Sequence, residues 1–224
     1  MGNISQIIPI LPQQTWETIY STALGTLLAY VIGLPLGVLL AVGGSDGILN
    51  LPPFVRRVLD IITNLLRSVP FLLLMMVSLP ISKLLFGTKI GTIASIPPLV
   101  IAAFPFVARL VESSLREVDR GVIEAAQSMG CSPFQIITKV MIPESVPGLI
   151  AGATTAFITI LGYGAMAGII GGGGLGNVGI TYGYYRHKDD IMYFIIILLV
   201  ILVQIFQTLG TWLSVKLDKR KTTK

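Results

Sequence analysis

The sequence is poor in the residues that usually carry chemistry in water. Among 224 residues there is one cysteine, Cys131, and one histidine, His187. A single cysteine excludes an intrachain disulfide and a cysteine-based zinc site, and a single histidine excludes a His-pair metal motif. Charged residues make up only 12% of the chain, about half the roughly 25% typical of a soluble domain. Every acidic side chain falls at the end of an apolar run or between runs. None is placed mid-membrane, where a proton relay needs a carboxylate; sodium sites built from backbone carbonyls are not excluded by this. No G-x-x-x-x-G-K-[ST] phosphate loop occurs. Gly171–Gly176 (GGGGLG) formally satisfies G-x-G-x-x-G, but it follows a long apolar run with no strand–helix unit around it. A turn or re-entrant bend suits it better, because glycine tolerates such backbone angles. No Ser, His and carboxylate set, paired carboxylates or metal-ligand spacing stands out. The expectation is therefore no catalytic residue, no cofactor and no metal: the chain is no enzyme, and any energy comes from a partner.

What is abundant is apolar surface. Hydrophobic residues make up 53%, and the mean hydropathy is +0.82. A chain of this size cannot hide that much apolar area from water, so its solvent is lipid. About 20 apolar residues in a helix cross the hydrocarbon core. The runs predict five spans, at about 18–42, 58–79, 90–108, 146–170 and 191–215. The first lacks a basic leader and is too long for a signal-peptide core, so it reads as a retained span. The net charge of +5 could suggest nucleic acid, but the Lys and Arg residues sit in short breaks between apolar runs, as membrane anchors do. One side of the predicted topology holds Arg56, Arg57, Arg109, Arg116, Arg120, Lys139 and the Lys216–Lys224 tail, eleven basic residues in all; the other holds Lys83, Lys89, Arg186 and Lys188. The positive-inside rule makes the first side cytoplasmic, with the N-terminus outside and the C-terminus inside.

Within the spans, small residues four apart (Gly33/Gly37, Gly148/Gly152, Gly164/Gly168) predict close helix approach. No internal repeat is seen, so a two-fold pore requires a second copy of the chain. Arg67 is the one charge inside a span. It either snorkels or meets carbonyls freed by Pro70, or it lines a permeation path. Met166 is either packing or a soft thioether that contacts substrate or plugs a gate. Tyr182, Tyr184, Tyr185 and Trp212 fall at predicted interfaces, where aromatic belts are ordinary.

The one long polar connection, about 110–144, reads as ordered. Val122–Met129 is a run of helix formers with Glu124 near its positive end. Gly130 breaks it, and Ser132-Pro133-Phe134-Gln135 restarts a helix with a capping box. Pro143 is expected to end that helix, and Pro147 to open the next span. Such an elbow is either a docking knob or an amphipathic helix on the headgroups.

Glu124-Ala125-Ala126-x₃-Gly130-x₉-Val140-Met141-Ile142-Pro143 resembles the EAA motif of ABC-importer permeases, EAA-x₃-G-x₉-I-x-L-P, departing only at Val140 and Ile142. Leu66–Phe71, Pro105–Arg109, the glycine cluster with Tyr182–Tyr185, and Val203–Gln207 extend the resemblance to the methionine-importing branch. Glycine-betaine and choline permeases share the motif and a similar glycine-rich turn. The resemblance implies an all-α, polytopic, type I importer permease with five spans and a cytoplasmic coupling-helix segment, in a bacterial cytoplasmic membrane. It implies as partners two ATPase subunits, a second permease copy and an extracytoplasmic substrate-binding protein. By position, Glu124, Ala125, Ala126, Gly130 and Pro143 would form the ATPase-coupling contact. Gly171, Gly172, Gly173, Gly174, Gly176 and Tyr182 are candidates for docking the binding protein, and Arg67 and Met166 for the pathway or gate. A stand-alone secondary transporter or channel is the alternative from a different class.

Overall fold

The computed structural model describes residues 4–44, 47–49 and 51–218. No strand occurs among them, and the all-α expectation holds. Two 3-10 turns, Ile4–Gln6 and Ile8–Ile10, lead into α1, Leu11–Val42. Then come α2 (Pro53–Ser68), α3 (Phe71–Phe86), α4 (Thr92–Arg116) and the short α5 (Arg120–Ser128). α6 (Pro133–Ile136), a π turn (Ile137–Met141) and α7 (Ile142–Glu144) lead to α8, Val146–Ala167. A 3-10 turn (Gly168–Ile170), α9 (Leu175–Val178) and a π turn (Gly179–Tyr184) precede α10, Asp189–Leu217. Four stretches, Ile4–Val42, Thr92–Arg116, Val146–Ile170 and Asp189–Leu217, are long and apolar enough to cross a bilayer. The chain is a multi-pass membrane protein.

The predicted span at 58–79 is not one helix: it covers the end of α2, a break, and the start of α3. Pro70 has no N–H and its ring would strike the carbonyl four residues back, while Val69 before it is pushed out of the helical region. Pro70 stands at φ −54°, ψ 131° and its carbonyl accepts the first N–H groups of α3, from Leu73 and Leu74. Only together are α2 and α3 long and apolar enough to cross a bilayer, as a broken span or a re-entrant loop.

The chain divides into two compact units, with boundaries part-way along four of the long helices. The first unit comprises 1–29, 69–103 and 156–207. Its core gathers Ile7, Leu175, Val178, Ile191 and Ile195, so the N-terminal turns pack on α9 and the start of α10. Phe71 stacks on Tyr163 at 3.8 Å between ring centroids.

The second unit comprises 30–68, 104–155 and 208–224. Here the small-residue spacing does its work on α4. A Cβ added at Gly33 would lie 2.7 Å from the Val107 side chain, and one at Gly37 would lie 2.5 Å from the Ala108 carbonyl oxygen. The second pair is looser: a Cβ at Gly148 would lie 3.2 Å from the Ser114 side chain, and one at Gly152 would lie 3.4 Å from the Tyr30 hydroxyl and 3.5 Å from Leu110. Tyr30 donates to the Leu149 carbonyl at 3.4 Å, and Ser214 donates to that of Pro147 at 2.8 Å. The third pair behaves differently: Gly168 is tight against Asn177, but nothing lies near a Cβ at Gly164.

Candidate functional site

The helix–glycine–helix elbow forms as its capping chemistry dictates. Asp119 caps α5 by accepting the Gly121 N–H at 2.7 Å. At the other end Gly130 adopts φ +77°. Its N–H reaches the Gln127 carbonyl at 2.9 Å, and that of Cys131 reaches Ala126 at 3.2 Å, which completes a Schellman stop. A residue with a Cβ would resist that left-handed conformation, so the glycine is structural. The capping box of α6 is present: Gln135 N–H donates to Ser132 Oγ, and Ser132 N–H donates to Gln135 Oε1 at 2.8 Å. Pro143, expected to end this helix, instead lies inside α7. The π turn before it carries the Ile142 N–H to the Ile137 carbonyl, a wider spacing that lets the chain pass the proline and turn at Ser145.

The elbow has two faces. Ala126 is buried at 2% exposure and anchors α5, as Ile136, Ile137 and Met141 anchor the following turns. Glu124, Ala125, Gly130 and Pro143 are exposed. So are Met129 at 77% and Phe134 at 74%. Two large apolar side chains left out on an otherwise anchored elbow forgo about 1.5–3 kcal/mol of burial each. They were not singled out in the sequence, where they read simply as helix residues.

A set of charges in the same unit was also not legible. Arg109 on α4 donates to Asp60 Oδ1 at 2.8 Å and Asn64 Oδ1 at 3.0 Å on α2, and to Glu112 Oε2 at 2.6 Å. Arg116 holds the other oxygen of Glu112 at 2.6 Å, and Arg56 approaches Asp60 at 4.0 Å. The pairs within one helix follow i, i+3 and i, i+4 spacing and could have been anticipated. The pairing of Arg109 with Asp60, which ties α2 to α4, could not.

Arg67, at the end of α2, is exposed and makes no ion pair among the described residues. Met166 on α8 is 50% exposed, and Gly162 and Gly164 beside it face open space.

In the first unit the glycine turn is pinned rather than displayed. Gly172, Gly174 and Gly176 are buried, and Gly171 and Gly173 are half-buried. The Gly174 N–H donates to Gln14 Oε1 at 3.0 Å and Glu17 Oε2 at 3.2 Å, the Leu175 N–H to Thr18 Oγ1 at 2.8 Å. Thr92 donates to the same Glu17 oxygen at 2.7 Å. A Cβ at Gly173 would collide with Thr92 and Glu17. Glycine is required there so that a carboxylate of α1 can reach the turn. Tyr182 is half-buried under Arg186, 4.4 Å above its ring, whereas Tyr184 and Tyr185 are exposed.

Residues 33–223 match the family described as binding-protein-dependent transport system inner membrane component. The chain belongs to this family. Among relatives of this transport-system component, the probable D-methionine transport system permease protein MetI of Vibrio cholerae is 47% identical over 212 residues, 94% of this chain and 93% of the relative. The methionine import system permease protein MetP of Bacillus subtilis is 46% identical over 166 residues, covering 74% of this chain and 75% of its own length. A solved structure of the MetNI methionine ABC transporter in inward-facing conformations contains a chain that superposes with a TM-score of 0.93 at 40% identity, covering 96% of this chain and 99% of that one. An amino acid ABC transporter crystallised with histidines superposes at 0.77 with 20% identity, a likeness of fold. The matched residues contain the elbow, the charge set and the glycine turn, and the side chains of Gln14, Glu17 and Thr18 that pin the turn precede them.

Proposed function

We propose that this chain is the membrane-spanning subunit of an ATP-binding-cassette importer that carries methionine, working as a pair of copies and moved by separate ATPase subunits. The observation that carries the reading is the elbow of α5 and α6: rigidly capped, anchored through Ala126, and bearing exposed Val122, Ala125, Met129 and Phe134. An exposed apolar face on a stiff short helix is a helix-in-groove docking element. The excess of basic residues on its side of the membrane supports a cytoplasmic position, where an ATPase would meet it. Closure of two ATPases would then pull on the elbow, and the capped turns would pass the displacement into α4 and α8 instead of dissipating it. ATP is hydrolysed on the partner, and this subunit supplies the path.

The substrate follows from the methionine-transporting relatives. Arg67 and Met166, both exposed and unshielded by their own chain, line the path in this reading, with Met166 beside open glycines where a pathway between two copies needs space. On the outer side a binding protein would meet Tyr184 and Tyr185 together with Tyr182, while the glycines Gly171, Gly172, Gly173, Gly174 and Gly176 set the shape of the turn beneath. Co-expression with a cognate ATPase tests the whole. The complex should co-purify and, in vesicles, take up radiolabelled methionine only when ATP and binding protein are supplied. Uptake driven by an ion gradient alone would overturn the proposal. Met129→Asp with Phe134→Asp should leave the permease folded but weaken ATPase association about tenfold or more, because buried apolar anchors dominate such interfaces. Unchanged association would remove the elbow from the mechanism.

A further inference from the structure

The exposed apolar face of α5 has an opposite side with different chemistry. Arg120, Ile123, Glu124 and Gln127 recur at helical spacing, so they share one face, and all four line a cavity of about 400 Å³. Arg56 from α2 and Arg116 from the end of α4 line it too. We propose that this cavity binds the phosphate group of an anionic phospholipid.

Among the described residues three arginines and one glutamate line the space, an excess of two positive charges. Arg116 is held by Glu112 on α4 at 2.6 Å, so it is oriented rather than free to swing away. Arg56 is held only loosely, 4.0 Å from an Asp60 already committed to Arg109 at 2.8 Å. Arg120 takes part in no ion pair among the described residues. Guanidinium forks match phosphate oxygens in geometry and charge. Basic pockets between spanning helices are recognised headgroup sites.

Depth selects the source of the phosphate. Val42, the last residue of α1, and Arg116, the last of α4, both line the cavity. The apolar run of α1 ends at its wall with Val42, and α4 reaches it about two turns beyond the end of its own apolar run at Ala108, which puts the cavity just outside the hydrocarbon, where headgroups lie. Ile123, half-buried above the buried Val42, Leu115 and Met141, gives the same wall an apolar part that a soluble anion would not use but a glycerol backbone would. Because α5 forms one side of the site, a bound lipid would hold the elbow at a fixed height against the membrane.

The test uses the full transporter purified into nanodiscs of phosphatidylcholine with and without phosphatidylglycerol. Lipid retained on the protein is counted by native mass spectrometry, and inorganic phosphate is titrated as competitor. The expected result is selective retention of phosphatidylglycerol. Arg120→Gln should weaken it about tenfold, as befits loss of one charge-assisted contact, and Arg57→Gln, outside this cavity, should leave it unchanged. Gln127→Glu, which adds a negative charge at the wall without removing a basic residue, should weaken retention as well. Equal retention of the two lipids, or retention indifferent to both cavity variants, would overturn the proposal. Inorganic phosphate binding lost in Arg120→Gln while lipid retention stays unchanged would also overturn it, by making the cavity a soluble-anion site. The readout needs no ATP, so it stands or falls separately from the transport function.

Discussion

The two units of the chain are held by different kinds of polar contact. In the first, one carboxylate, Glu17, is in no ion pair among the described residues and is satisfied by a hydroxyl, a side-chain amide and a backbone N–H around a glycine turn. In the second, all the ion pairs among the described residues gather where α2 meets α4, with Arg109 and Arg116 sharing Glu112. The first arrangement fixes the path of a loop and depends on the absence of Cβ atoms. The second fixes two helices side by side and depends on charge. A backbone turn tolerates little change in shape, whereas the half-exposed pair of Arg56 and Asp60 can part and re-form as helices shift, around the buried Glu112. In the proposed importer the ion-paired unit is also the one that carries the elbow an ATPase would move.

The comparison can be tested from its strongest contrast downward. The largest effect should come from steric intrusion where helices touch. Gly37→Leu drives a side chain into the Ala108 carbonyl and Val111 and should cost about 3 kcal/mol or more, seen as loss of monodisperse protein in detergent. Gly164→Leu, in open space within the lone chain, should leave that yield intact; equal losses at both sites would refute the packing account.

Next come the charges. Arg109→Met leaves Asp60 without its closest cation and the buried Glu112 with only Arg116, and should lower stability by about 1–3 kcal/mol, the lower end reflecting the partly exposed Asp60. Adding Asp60→Asn should return part of that loss in thermal unfolding, a coupling that a double-mutant cycle measures directly. Strict additivity would mean that the pair does not hold α2 to α4.

A third test separates charge from geometry in the first unit. Glu17→Ala removes acceptors for Thr92 and Gly174 and should cost about 1–3 kcal/mol. Glu17→Gln keeps one acceptor oxygen and should cost distinctly less. If both were equally harmful, net charge and not hydrogen bonding would be the active ingredient, and the contrast between the units would collapse. The smallest effect belongs to the elbow's cap: Ser132→Ala should destabilise α6 by about 1 kcal/mol, visible as faster amide exchange at Phe134–Ile136 and little elsewhere.

Much of this was legible in advance because local rules govern it. The capping box at Ser132 and Gln135, the stop at Gly130 and the apolar runs on α1, α4, α8 and α10 depend on residues a few positions apart. So does the close approach at Gly33 and Gly37, though not its partner: nothing in the spacing says that α4 is the helix approached. Gly164 has the same spacing and no neighbour, so small residues state a capacity for contact and not the contact itself. The glycine cluster reads in the sequence as a turn or re-entrant bend; that it is pinned depends on Glu17 and Thr92, which arrive from distant parts of the chain. Met129 and Phe134 look like ordinary helix interior residues until the fold shows them largely exposed.

By itself the sequence determined that the chain lives in lipid as helices, which segments are apolar enough to cross, and where the elbow bends, since solvation, helix length and capping act within one or two turns. Only the tertiary structure decided that Arg109 bridges α2 and α4, that a carboxylate secures the glycine turn, and that the two faces of α5 differ. Those outcomes depend on which distant side chains come within a few ångströms of one another, and the order of residues along a chain does not encode that distance.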